Sequence, residues 1–169
     1  MGRLLSKITT IFVCVLIPAS IFAQDTLLIS WAETPGLLES TIKADTTADG
    51  SQAHDVYLLE SNKIYLQKTE INVNSHVNIS GQTPGTGEFP ATIQPMPGDD
   101  GLSGFTGWPN GNFQVYGDGA NLTLRNLILN GVSIDQSFNL GSVVTARGDL
   151  QKIVMDNVIA SHYVTFTFS

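Results

Sequence analysis

The stretch LTLRNLIL, Leu122 to Leu129, decides how this chain is read. Its leucines sit on even positions at first, Leu122 and Leu124, and on odd positions afterwards, Leu127 and Leu129. Side chains alternate faces along a strand, so an unbroken strand would send the two pairs to opposite sides. A two-residue bend at Arg125-Asn126 removes the conflict and lets both pairs share one interior. Asparagine suits such a corner, because it tolerates the left-handed backbone that the bend requires.

The same change of parity recurs in IVMDNVIA, where Ile153 and Met155 precede Asp156-Asn157, and Val158 and Ala160 follow. A third copy begins at VNISG, with Val77 and Ile79 matching Leu122 and Leu124, and Gly81 standing where the asparagines stand. After an inserted QTPGTGEFP it resumes as ATIQP. Gly81, Asn126 and Asn157 are therefore the expected corners. Asn126 and Asn157 are 31 residues apart and Gly81 and Asn126 are 45 apart, within the range of stacked repeats. A third strand, GNFQVYG or GSVVTARG, precedes the later copies. Three short strands per turn, apolar residues inward, predict an all-β parallel solenoid. Asparagines at equivalent corners would bond one another's amides along the stack.

Ahead of the repeats, TPGLLESTIKADTT places Pro35 near a helix start and Leu37, Leu38, Thr41 and Ile42 at helical spacing. A short amphipathic helix there would cap the open end of the stack. VYLLESNKIYL then reads as two strands joined by a Ser-Asn-Lys turn.

The 169 residues, 42% hydrophobic and 14% charged with 16 Gly and 7 Pro, suit one globular domain. The first 23 differ in kind. Arg3 and Lys7 precede an apolar run from Ile8 to Ile17, and small residues follow to Ala23, the pattern of a secretory signal peptide. No stretch is long enough to predict a transmembrane segment. Loss of this leader would remove Cys14, the only cysteine, leaving no disulfide and no thiolate chemistry. It would also leave six basic residues against 15 acidic ones, a formal charge of −9. Such a surface repels a phosphate backbone, which excludes nucleic acid as an expected partner. The expected organisation is thus signal peptide 1–23, cap 24–50 and coils 51–169.

The run TPGLLESTIKADTTADGSQAHDVYLLESNKIYLQKTEINVNSHVNISGQTPG resembles the opening of secreted right-handed parallel β-helix proteins, the pectin-lyase-like superfamily. LTLRNLILNG and IVMDNVIAS are similar to that group's inner coils. The resemblance implies a right-handed parallel β-helix with a short N-terminal capping helix. It says little about activity, because such coils carry lyases, hydrolases, epimerases and adhesins alike. In the lyases of that group, acid-held calcium neutralises a uronate and an Arg or Lys takes a ring proton. SVVTARG offers Arg147 with no carboxylate in alternation, and NFQVYGDG offers only Gln114 and Asp118. No catalytic residue is carried over.

Candidate ligand contacts are few. Arg147 ends a strand on the face where, by the resemblance, sugar binds. Phe105, Trp108 and Phe113 punctuate the glycine-rich GFTGWPNGNF, where the rings would either stack on a sugar or anchor the loop. Arg125 and Asp156 are expected to pair across successive corners, worth about 0–1 kcal/mol. His54, His76 and His162 read as turn residues without metal-ligand spacing. DTTADGS and PGDDGLSG would loosely hold calcium, with turn chemistry as the default.

The closing ASHYVTFTFS begins a strand on Val164, Phe166 and Phe168 and stops, so a C-terminally truncated stack is expected, its open coil needing further chain or a partner. The first functional expectation is a secreted, polysaccharide-associated scaffold without complete catalytic machinery. Its alternatives are the front of a calcium-dependent polysaccharide lyase of the pectate, alginate or chondroitin type, and a structural or adhesive surface protein.

Overall fold

The computed structural model describes residues 24–98, 104–105 and 111–165. The signal peptide, Trp108 and the closing Phe166 and Phe168 lie outside the described residues. Strand β1 (Thr26–Ile29) precedes helix α1 (Leu37–Ala44), and β2 (Val56–Leu59), β3 (Ile64–Gln67), β4 (Ile71–Val73) and β5 (His76–Gly81) follow. Then come β6 (Ala91–Pro95), β7 (Gly111–Tyr116), β8 (Asn121–Asn130), β9 (Ser142–Arg147) and β10 (Lys152–Ser161). The fold is all-β, with mostly parallel strands in a curled half-barrel sheet and one short helix among the described residues.

Parallel pairing makes three ladders. The first runs β1–β2–β5–β8–β10, and the second runs β3–β6 onto the later half of β8. The third is β4–β7–β9. Strand β8 belongs to two ladders because it bends at Asn126, whose φ is 53°. Asn157, at the same place in β10, also has φ 53°. Leu122, Leu124, Leu127 and Leu129 are all fully buried, so the parity shift marks a corner that keeps both leucine pairs inside. Burying each such side chain stabilises by about 1.5–3 kcal/mol. Val77, Ile79, Ile93, Phe113 and Val115 join them in one core fed by both sheets.

Register confirms how the copies overlay. Val77 pairs with Leu122 and Ile153 with Leu122 on its other side, while Ala91 and Val158 pair with Leu127. The Asn157 Nδ2 donates to Asn126 Oδ1 at 2.9 Å, and Arg125 lies 3.7 Å from Asp156. Gly81 differs from the expectation that it, too, serves a left-handed bend. It has no positive φ, but a Cβ there would lie 2.2 Å from the Asn126 carbonyl oxygen. Glycine is required because the next pass of the backbone comes too close for any side chain.

Strands β1 and β4 escaped the sequence reading. Three or four residues carry barely one alternation, too little to separate a strand from a loop. The buried polar groups were also unforeseen. Gln67, fully buried, donates through Nε2 to the Thr69 and Asn112 carbonyls at 2.8 Å each, and its Oε1 accepts from Asn112 Nδ2 at 2.7 Å. Asn112 Oδ1 in turn accepts from the buried Tyr163 hydroxyl. The Tyr65 hydroxyl donates to the Ile29 carbonyl at 2.7 Å and accepts from the Glu60 N–H at 3.0 Å. Each buried polar atom in these chains gains a partner, which avoids the desolvation penalty of leaving it unpaired.

Candidate functional site

Helix α1 sets one wall of the site. Its start is held not by a capping side chain but by Gly36, at φ 81°, whose N–H donates to the Leu66 carbonyl at 2.8 Å. Leu38 and Ile42 point inward and are buried, while Ser40 and Lys43 are exposed. Glu39 leans back onto the β3–β4 turn, where its Oε1 accepts from the Lys68 N–H at 2.6 Å and the Thr69 N–H at 3.3 Å. Its Oε2 is buried with no hydrogen-bond partner. Burial pushes the Glu39 carboxyl above its ordinary range, outweighing those N–H bonds and the nearby Lys68 charge.

Between α1 and β4 lies a groove of about 640 Å³, with Ile42 and Ile71 in its floor and Glu39, Lys43, Glu70 and Asn72 among its walls. Asn74 lines this groove and also a second one, of about 450 Å³, which continues past His54, Asp55, Ser75 and His76 to Asp118. Asn74 thus lines both polar depressions, at the corner between the β4 and β5 ladders. The Ser75 hydroxyl oxygen, in the second groove, is buried and also lacks a partner.

Asp45, the C-terminal cap of α1, braces the loop between them. It accepts from His54 Nδ1 at 2.7 Å, from the His54 N–H at 3.1 Å and from the Tyr57 hydroxyl at 2.7 Å. Its side chain is only 10% exposed. Burial alone would raise its carboxyl, but the bonds from Tyr57 and His54 win and hold it below the usual carboxylate range. Burial and the Asp45 charge together push the Tyr57 phenol far up. Because Asp45 holds both the ring and the backbone of His54, the trio works first as a clamp on the 46–55 loop.

The residues singled out from sequence fall in different places. Phe105 is buried and tilts against Phe138 with ring centroids 6.2 Å apart. Phe113 is likewise fully buried. Arg147 is exposed at the end of β9, in register with Tyr116 of β7, and its carbonyl accepts from the Gly117 N–H at 3.2 Å, beside the Asp118 turn that lines the second groove. Asn72, Gln114 and Thr145 stand in register across β4, β7 and β9, and Gln114 Nε2 donates to Glu70 Oε1 at 2.9 Å. The acidic loop around Asp49 is a turn: its Oδ1 accepts from Thr47 and Ser51, which lowers that carboxyl to about 2. Asp135 repeats this arrangement with Ser133 and Ser137. Among the described residues no three His, Cys, Asp or Glu side chains converge in a way that could hold a metal ion.

The groove itself was not visible in the sequence. Its walls come from α1, from the β4–β5 region and from the turn at Asp118, segments whose proximity only the folded chain creates. No protein-family model, curated protein or solved structure matches this chain.

Proposed function

We propose that this chain is a secreted right-handed parallel β-helix scaffold that binds glycan in the groove beside its capping helix, without acting on it chemically. The three parallel ladders, the strands that recur in register 31 to 45 residues apart and the asparagine-to-asparagine bond at the bend support the β-helix reading. The hand follows from the near-universal right-handedness of parallel crossovers. The basic start and short apolar run of residues 1–23 support secretion. No helix of the described residues is long and apolar enough to cross a membrane.

The observation that carries the glycan reading is this groove, with the second depression that shares Asn74. Its walls supply amides, hydroxyls and carboxylates to bond sugar hydroxyls, and Ile42 and Ile71 supply apolar surface for sugar C–H faces. Affinity electrophoresis through gels containing different polysaccharides tests it. Retardation that Asn72→Ala and Lys43→Ala each weaken, with Kd rising about tenfold for a lost contact of about 1.4 kcal/mol, is the expected result. Unaltered migration in every gel sinks the reading. A rising absorbance of unsaturated uronates on pectate or alginate would make the chain a lyase instead.

A further inference from the structure

We propose that two copies of this chain join end to end through β10, as a two-fold dimer whose β10 strands run antiparallel with Val154 facing Val154. Strand β10 ends its ladder: among the described residues it pairs with β8 alone. The Lys152 N–H donates to the Ala120 carbonyl on the β8 side, so the alternate residues Ile153 and Met155 turn their backbone N–H and C=O groups the other way. The apolar row of this coil is short of a covering layer as well. Leu122, Leu124, Leu127 and Leu129 of β8 are fully buried, whereas Ile153, Met155, Val158 and Ala160, their partners in register, are only partly buried. Unused backbone donors and acceptors beside a half-covered apolar row make a template for another strand.

The strand that fits is a second β10. At the opposite end of the stack α1 packs on β3, and the Gly36 N–H takes the Leu66 carbonyl on the outer edge of that strand. The bent β10 of another copy therefore cannot stack there in full, which disfavours a head-to-tail filament. Pairing of like ends remains, and it closes after two copies. With Val154 on the two-fold axis, Lys152 faces Asp156 of the second copy, and Asp156 faces its Lys152, all of them exposed. Ile153 faces Met155 on the inward side, and these are the residues that exchange backbone bonds. Lys152 and Asp156 then fall in non-hydrogen-bonded pairs, which bring opposite side chains closest. Moving the axis by one residue sets Lys152 or Asp156 against Val154 and loses the match of charge. Asp156 lies 3.7 Å from Arg125 of its own chain, yet its side chain is 70% exposed and open to a second cation.

Sedimentation equilibrium of the full chain over a range of micromolar concentrations tests this, and a dimer is expected. Lys152→Glu and Asp156→Lys, each alone, set like charges across the axis twice over and should raise the dimer Kd at least about tenfold. The two changes together restore opposite charges and should bring the dimer back. Within one chain the two positions stand about 13 Å apart along the strand, so rescue reads contact between copies and not repair of the fold. Unchanged far-ultraviolet dichroism verifies that each variant folds. A monomer at every concentration, or an open-ended series of oligomers, overturns the inference. So do single reversals that leave the Kd where it was, or that the double change fails to rescue.

Discussion

At the residue scale, two corners that look alike in sequence rest on different physics. Asn126 and Asn157 are there for a backbone conformation, and the parity shift beside them made that legible. Gly81 is there for space, which no pattern within its own strand could reveal, since the atom it avoids lies 45 residues on. The two causes give different mutational outcomes. Gly81→Ala drives a Cβ to 2.2 Å from a backbone oxygen, and is expected to lower unfolding free energy by about 2–4 kcal/mol in urea titrations. Asn126→Gly keeps the left-handed φ and loses only the exposed amide bond, so about 1 kcal/mol is expected. A larger loss for Asn126→Gly than for Gly81→Ala contradicts this account.

Glu39 offers a pH test at the same scale. Its folded carboxyl lies above its unfolded value of 4.5, so the folded state favours the protonated form. The resulting stability is complete below pH 4.5 and is lost as pH rises through the folded value. Asp45 has the opposite sign: its stability is present above 3.8 and is lost as pH falls through a still lower folded value. Glu39→Gln cannot ionise, so the difference in urea midpoint, variant minus wild type, should grow from pH 4 to pH 7. A difference that stays flat over that window means that burial does not penalise the Glu39 charge.

At the scale of elements, periodicity marked the long strands and missed the short ones. The ten-residue β8 and β10 carry two alternations and a bend each, whereas β4 has three residues and β1 four. Helix α1 was legible through Leu38 and Ile42, although its start is set by a backbone bond to Leu66 that no local signal announces. The connection between ladders depends on the Gln67–Asn112–Tyr163 chain, which spans three segments. Tyr163→Phe strips the donor from a buried Asn112 oxygen while keeping the ring. A loss of about 1–3 kcal/mol is expected, and amide hydrogen exchange should speed at the start of β7. Protection unchanged there would show that the bond is dispensable to the ladder.

At the scale of the molecule, the sequence made the path of the chain legible but not the groove, because the path is written in local alternation and the groove in long-range proximity. Phe105, an aromatic residue of a glycine-rich loop, belongs to the interior. Export is testable directly. Protein recovered from the medium of a secreting host should begin at Gln24, read by terminal sequencing, and intact Met1 in that fraction would argue against a cleaved leader.

The nine residues from Gln82 to Pro90 leave the pairing untouched: Ser80 still faces Arg125 and Ala91 still faces Leu127. A bend that already carries this loop can carry a longer one. A foreign epitope placed between Thr86 and Gly87, both exposed, should be displayed on the outside like a flag on a mast while the scaffold beneath keeps its melting temperature.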